Sequence, residues 1–140
     1  MVIDASVWVA AFLTRDAHHR DVAEFLRKLL EEGLLVTIPL LALCEVAGAI
    51  ARQTNDPELA ERTIAFLRAQ PWIQFAPLND PLAAEAASLA ARQRLRGADA
   101  VYVALASQRD GMLITVDREM LERTPTPVTV RTPSDLLNGA

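Results

Sequence analysis

Hydrophobic positions along the chain follow two different spacings. Five short runs are continuous in apolar or β-branched residues and have turn or breaker residues nearby, and they cover residues 1–3, 35–38, 72–76, 112–116 and 128–130. Runs of this kind predict strands. Helical spacing fills the intervals and predicts helices over residues 6–13, 19–32, 40–53, 57–68, 81–94 and 98–109, with short helical turns after Asp117 and Ser134.

This order of elements predicts an α/β fold. Strands that lack hydrophobic/polar alternation and are separated by helices are typical of a parallel sheet covered on both faces. A length of 140 residues with 51% hydrophobic residues suits one domain, residues 1–140. No apolar run reaches membrane-spanning length without a charge. The single Cys44 lies in an apolar run, which indicates a buried, inert thiol in a reducing compartment. We therefore expect a soluble, cytoplasmic protein.

Two aspartates border the stretch "RGADAVYVALASQRDGMLITVD", residues 96–117. Open parallel sheets bind ligands at the carboxyl ends of their strands. A helix of about ten residues that begins near Asp99 runs roughly 15 Å away from that edge, and the following strand returns about the same distance to Asp117. Asp4 directly follows the first predicted strand. All three carboxylates are therefore expected at the same edge of the sheet.

A fourth acidic residue, Glu45, lies in the helical segment "IPLLALCEVAGAIAR". This helix should begin near Pro39, which places Glu45 in its second turn. Helical side chains tilt toward the N-terminus, so the glutamate is able to reach the strand edge. Its neighbours are apolar or small, and a buried glutamate needs a partner.

Each aspartate also has a structural interpretation. Asp99, Asp117 and either Asp4 or Ser6 stand where helix N-caps are expected, and aspartate is among the preferred caps. Four carboxylates at one place, however, repel and raise one another's pKa unless a cation compensates. Magnesium or manganese, which prefers oxygen ligands, meets that requirement. The residues thus favour a metal–carboxylate site and leave the capping roles open.

Charge and composition narrow the class of partner. The net charge of −4 and the pI near 5.1 argue against bulk attraction to nucleic acid but not against a local basic surface. Among 14 basic residues only Lys28 is not arginine, which favours bidentate contacts to phosphate or carboxylate. Most arginines are expected to be ordinary surface residues; the candidates for phosphate contacts are Arg15, Arg96, Arg109 and Arg118. No glycine-rich nucleotide-binding motif is present.

Five segments in order carry a resemblance to a known family: "VIDASVWVAAF", "PLLALCEVAGAI", "LRGADAVYVALA", "LITVDREML" and "VRTPSDLL". Together they resemble a PIN domain, specifically the VapC-type toxin ribonucleases of bacterial toxin–antitoxin systems. The resemblance implies a Rossmann-like α/β fold with a central parallel β-sheet sandwiched by α-helices. It also implies a divalent-metal site and endonuclease action on RNA.

The resemblance assigns roles to individual residues. The acids that match the family's catalytic and metal-binding positions are Asp4, Glu45, Asp99 and Asp117, with Asp4 and Asp99 as direct ligands. Ser6 and Thr115 match the hydroxyl positions that support the acids. The implied reaction is hydrolysis of RNA phosphodiester bonds by water activated by Mg²⁺ or Mn²⁺. The implied protein partners are a cognate small antitoxin and a second copy of the chain in a homodimer.

Two other functions stay open. One is a catalytically inactive PIN-like module that binds RNA or protein. The other is a receiver-like or phosphatase-like magnesium domain, although the helical position of Glu45 and the lack of a phosphoacceptor-plus-lysine pattern count against it.

Overall fold

Residues 1–139 are described by the structure, a computed structural model. Within this range the strands are β1 (Val2–Ile3), β2 (Val36–Pro39), β3 (Ile73–Ala76), β4 (Met112–Ile114) and β5 (Thr129–Arg131). They form one five-stranded sheet in the order β3-β2-β1-β4-β5, and every pair is parallel. The predicted strands and the parallel sheet are confirmed, with strand ends shifted by at most two residues.

The helices also follow the predicted pattern. The long ones are α1 (Ala5–Phe12), α2 (His19–Glu31), α3 (Leu41–Thr54), α4 (Pro57–Arg68), α5 (Asp80–Gln93) and α6 (Gly97–Gln108). The two expected short turns are the helices α7 (Arg118–Arg123) and α8 (Pro133–Leu137). None of the helices within residues 1–139 is long and apolar enough to cross a membrane.

The core forms around the central strand β1, whose Val2 and Ile3 are fully buried. Helix α6 is buried from Asp99 to Ala106, which explains why its sequence is apolar on nearly every face. Helix α2 instead buries only Val22, Phe25 and Leu29, at the spacing of one helical face. A charged residue inside the buried part of α6 is therefore exceptional, and Asp99 is that residue.

The strand order places a topological switch at β1 and β4. The chain adds β2 and β3 on one side of β1, then crosses to add β4 and β5 on the other side. Adjacent connections diverge at such a point and leave a crevice beyond the carboxyl ends of the strands. Asp4 follows β1 and Asp117 lies three residues after β4, so both lie at this crevice.

The prediction that the Cys44 thiol is buried is wrong. The α3 residues that enter the core are Ala42, Leu43, Val46 and Ile50, whereas Cys44 is exposed. An apolar helical segment has one buried face, and Cys44 lies on the other face together with Glu45.

Candidate active site

A cavity of about 720 Å³ lies at the switch point of the sheet. We call it the acidic cavity because all four predicted carboxylates line it: Asp4, Glu45, Asp99 and Asp117. Ser6, Cys44 and two arginines, Arg52 and Arg96, also contribute to its wall. Residues far apart in sequence therefore meet at the carboxyl edge of the sheet, as the lengths of α6 and β4 predicted.

Asp4 is held by hydrogen bonds that converge on one carboxylate oxygen. Its Oδ2 accepts from the Ser6 hydroxyl at 2.5 Å, from the Thr115 hydroxyl at 2.9 Å and from the Ser6 N–H at 3.3 Å. The last contact caps α1, so Asp4 both begins a helix and lines the cavity. Its Oδ1 accepts no hydrogen bond from any residue in the range 1–139.

Ser6 and Thr115 connect the start of α1 with the chain that follows β4. The Ser6 hydroxyl accepts a hydrogen bond from the Val116 N–H at 3.2 Å, and the Thr115 hydroxyl accepts one from the Asp117 N–H at 3.0 Å. Thr115 is fully buried. The two hydroxyls thus orient Asp4 and fix the backbone beside it, as expected for groups that position a site's acids.

The capping interpretation holds for Asp117 but not for Asp99. Asp117 Oδ1 accepts from the Met120 N–H at 3.1 Å and caps α7. Asp99 is the third residue of α6, and the N-cap position belongs to Arg96, whose side chain makes no capping hydrogen bond. Helix capping therefore does not explain the buried Asp99.

Arg96 bridges two of the acids. Its Nε donates to Asp99 Oδ2 and its Nη2 donates to Asp117 Oδ2, both at 2.7 Å. The side chain of Arg96 remains 61% exposed, whereas that of Asp99 is only 9% exposed. One guanidinium group, bound from the solvent side, therefore supplies the positive charge between these two carboxylates.

Glu45 has a buried partner that sequence reasoning missed. The Tyr102 hydroxyl donates to Glu45 Oε1 at 2.7 Å, and Tyr102 is fully buried. Tyr102 lies three positions after Asp99 on α6, so the two side chains project from neighbouring positions on one helix face. That spacing was the available signal in the sequence.

The family of the chain follows from comparison with known proteins. The PIN domain family model matches residues 1–126. The chain belongs to the PIN domain family. No curated protein sequence matches this PIN domain significantly.

Solved structures similar to this PIN domain include a toxin and a toxin–antitoxin complex. VapC20 of Mycobacterium tuberculosis, described as a sarcin-ricin loop cleaving toxin, has a TM-score of 0.73 and 17% identity, over 86% of this chain and 92% of that chain. FitAcB of Neisseria gonorrhoeae has a TM-score of 0.71 and 18% identity, over 95% and 97% of the two chains. A toxin–antitoxin complex from Klebsiella pneumoniae has a TM-score of 0.67 and 17% identity, over 94% and 96%. At these identities the likeness shows the shared fold.

Burial controls the electrostatics of the PIN domain's cavity. It raises the pKa of Asp4, Asp99 and Glu45 above the ordinary carboxyl values. Hydrogen bonds from Ser6 and Thr115 partly oppose this rise in the pKa of Asp4, and the negative charge of Asp99 adds to it. Burial, followed by the charges of Asp4 and Glu45, likewise raises the pKa of Tyr102, so its hydroxyl keeps its proton. Full ionisation of the acids is therefore costly without added positive charge.

The donor chemistry of the cavity fits a hard divalent cation. Asp4 Oδ1, Asp99 Oδ1 and Glu45 Oε2 accept no hydrogen bond from residues 1–139, so three carboxylates each retain an oxygen for an outside partner. Carboxylate oxygens are the protein ligands that Mg²⁺ and Mn²⁺ prefer. As placed, however, no three Asp, Glu, His or Cys side chains in this range are arranged to hold one ion. Asp99 and Asp117 instead share the guanidinium group of Arg96.

The four arginines considered for phosphate contacts lie in different places. Arg96 lines the cavity. Arg15 donates to the backbone oxygen of Gln53, and Gln53 itself lines the cavity. Arg118 is exposed at the start of α7, and Arg109 follows the end of α6 opposite Asp99. Sequence reasoning missed a fifth arginine, Arg52, which also lines the cavity.

Proposed function

We propose that this PIN domain is a divalent-metal-dependent endoribonuclease and the toxin of a type II toxin–antitoxin system. The observation that carries the proposal is the meeting of Asp4, Glu45, Asp99 and Asp117 in one cavity at the switch point of a PIN-domain sheet. Three of these acids have a raised pKa, and such clusters mark functional sites. The cavity needs positive charge, and a divalent metal ion would provide it while also binding an oxygen of the RNA phosphodiester.

Each acid has a role in the proposed hydrolysis. Asp4 and Asp99 would hold Mg²⁺ or Mn²⁺, with Asp117 completing the set. When bound, the ion supplies positive charge to a phosphate oxygen and lowers the pKa of the attacking water. Glu45 would accept the proton of that water through Oε2, which accepts no hydrogen bond from residues 1–139. Tyr102 holds the Glu45 carboxylate in place through Oε1.

Ser6 and Thr115 would act through Asp4. Their hydroxyls occupy Asp4 Oδ2, and the other oxygen of Asp4 is left for the ion. Binding the acid on one oxygen fixes its orientation before the ion arrives.

Arg52 offers a contact for the RNA backbone. It lies on α3 two turns after Glu45, and its guanidinium passes so close to Gly48 that a Cβ there would approach Nη1 to 3.0 Å. The absence of a side chain at Gly48 thus lets the guanidinium lie against the helix beside the cavity. Arginine binds phosphate through two N–H groups at once, so Arg52 would hold a phosphate next to the scissile one.

RNA as substrate and an antitoxin as partner find support in the similar structures. One is described as a toxin that cleaves the sarcin-ricin loop, and another as a toxin–antitoxin complex. We extend both properties to this chain as part of the proposal, together with a homodimer. The PIN family match argues against the receiver-like or phosphatase-like alternative.

RNA cleavage with and without metal tests the proposed function. Structured and single-stranded RNA are incubated with the protein in EDTA, then with added Mg²⁺ or Mn²⁺, and the cleaved ends are sequenced. We expect cleavage only with the metal, loss of cleavage in Asp4→Asn, and full cleavage in the control Asp80→Asn, whose carboxylate is exposed on α5. Cleavage that persists in EDTA would contradict the metal mechanism. Metal-independent RNA binding without cleavage would favour the inactive module.

A further inference from the structure

Arg96 occupies the position between two proposed metal ligands. Its two 2.7 Å hydrogen bonds take one oxygen of Asp99 and one of Asp117. A divalent cation shared by these acids needs the same negative charge. A guanidinium and a metal ion close to the same two carboxylates repel each other, so the two cations compete.

Arg96 also has a third carboxylate within reach. Glu119 Oε2 lies 3.8 Å from Arg96 Nε, and the Glu119 side chain is 46% exposed. The other ion-pair partner of Glu119 among residues 1–139 is Arg123, at 3.6 Å. The Arg96 side chain is long and 61% exposed, so leaving the cavity for Glu119 requires no rearrangement of the core.

We propose that Arg96 is an exchangeable counter-cation: it neutralises Asp99 and Asp117 in the metal-free protein and moves toward Glu119 when a divalent metal binds. The exchange explains why no three acidic side chains in residues 1–139 are arranged around a metal position while the donor oxygens remain available. It makes Arg96 a positioning residue that opposes metal binding, rather than one that assists it. The inference rests on the proposed metal site.

Mn²⁺ binding to purified protein tests the exchange without any measurement of cleavage. Titrations followed by calorimetry or by the electron paramagnetic resonance of free Mn²⁺ compare the parent with Arg96→Gln, Arg96→Lys and the control Arg118→Gln. The control removes the same charge next to Asp117, from an exposed side chain that makes no ion pair within residues 1–139. Thermal unfolding verifies that each variant is folded.

We expect Arg96→Gln to bind Mn²⁺ roughly 3- to 30-fold more tightly than the parent, the range set by removing two partly exposed charge-assisted pairs. Arg96→Lys should fall between them because an ammonium group lacks the fork that spans two carboxylates. Arg118→Gln should change the affinity less than twofold, since its charge is solvent-exposed and screened.

Unchanged binding by Arg96→Gln, relative to Arg118→Gln, would overturn the exchange. Weaker binding would also overturn it and would show instead that Arg96 holds the acids for the metal. In that case the parent still binds Mn²⁺ and the proposed function stands. If neither the parent nor any variant binds Mn²⁺, the metal site fails and the exchange fails with it. If only Arg96→Gln binds Mn²⁺, Arg96 prevents metal binding in the parent, which supports the competition between the two cations.

Discussion

The aspartates at the start of α8 and in the acidic cavity have opposite surroundings. Asp135 Oδ2 accepts from the Thr132 N–H at 2.8 Å in a capping box, and this backbone bond lowers its pKa. Asp4 accepts three hydrogen bonds, yet burial raises its pKa. The number of hydrogen-bond donors therefore does not by itself determine whether the pKa of a carboxylate is lowered or raised. At α8 hydrogen bonds from the protein stabilise the charged carboxylate, whereas in the cavity the hydrogen bonds to Asp4 do not offset the cost of burial.

Substitution of Thr115 should have the largest effect on the acidic cavity. Thr115→Val removes the hydroxyl that donates to Asp4 and accepts from the Asp117 N–H, so both groups lose a buried partner. We expect Mn²⁺ affinity and cleavage to fall about 10- to 100-fold. The free energy of unfolding should fall by about 1–3 kcal/mol. Thr115→Ser should recover most of both.

Thr63 is the matched control for Thr115. It is also buried, but its hydroxyl donates only to the Leu59 carbonyl within α4. Thr63→Val should leave Mn²⁺ affinity and cleavage unchanged. Equal losses of Mn²⁺ affinity in the two variants would mean that Thr115 contributes only to the fold.

A smaller effect is expected on thermal stability. Its pH dependence should have opposite signs for substitutions in the acidic cavity and at the start of α8. The raised pKa of Glu45 means that the folded state holds its proton more tightly, so its ionisation destabilises the metal-free protein as the pH rises above 4.5. In EDTA, Glu45→Gln should unfold at the parent's temperature near pH 4 and about 2–4 °C higher at pH 7. The amide oxygen of glutamine still accepts the Tyr102 bond.

Asp135→Asn should behave in the opposite way. Its lowered pKa means that the charged form stabilises the fold above the ordinary value of 3.8, and that this contribution is lost as the pH falls. The variant should unfold about 1–2 °C below the parent at pH 7 and approach it in acid, a small effect because the residue is partly exposed. Shifts of the same sign in both variants at pH 7 would remove the contrast between the cavity and α8.

The fold was predictable because short apolar runs and helical spacing are local signals. The same signals placed Asp4, Asp99 and Asp117 at one edge, since the lengths of α6 and β4 determine where the chain returns. The pairing of Arg96 with Asp117 was not predictable, because it depends on how far a flexible side chain reaches between two elements. The exposure of Cys44 was misjudged since an apolar run does not reveal which helix face enters the core.

Asp99→Asn tests most directly whether the acidic cavity is a metal-dependent nuclease site. Thermal unfolding of the parent and the variant is measured with and without Mg²⁺, beside one RNA cleavage assay. Without metal the variant should be as stable as the parent or more so, because it removes a buried charge and its amide oxygen still accepts the Arg96 bond. Mg²⁺ should raise its unfolding temperature less than the parent's, and cleavage should fall roughly a thousandfold or more. An unchanged Mg²⁺ shift with retained cleavage would contradict the assignment of Asp99 and of the cavity as the active site.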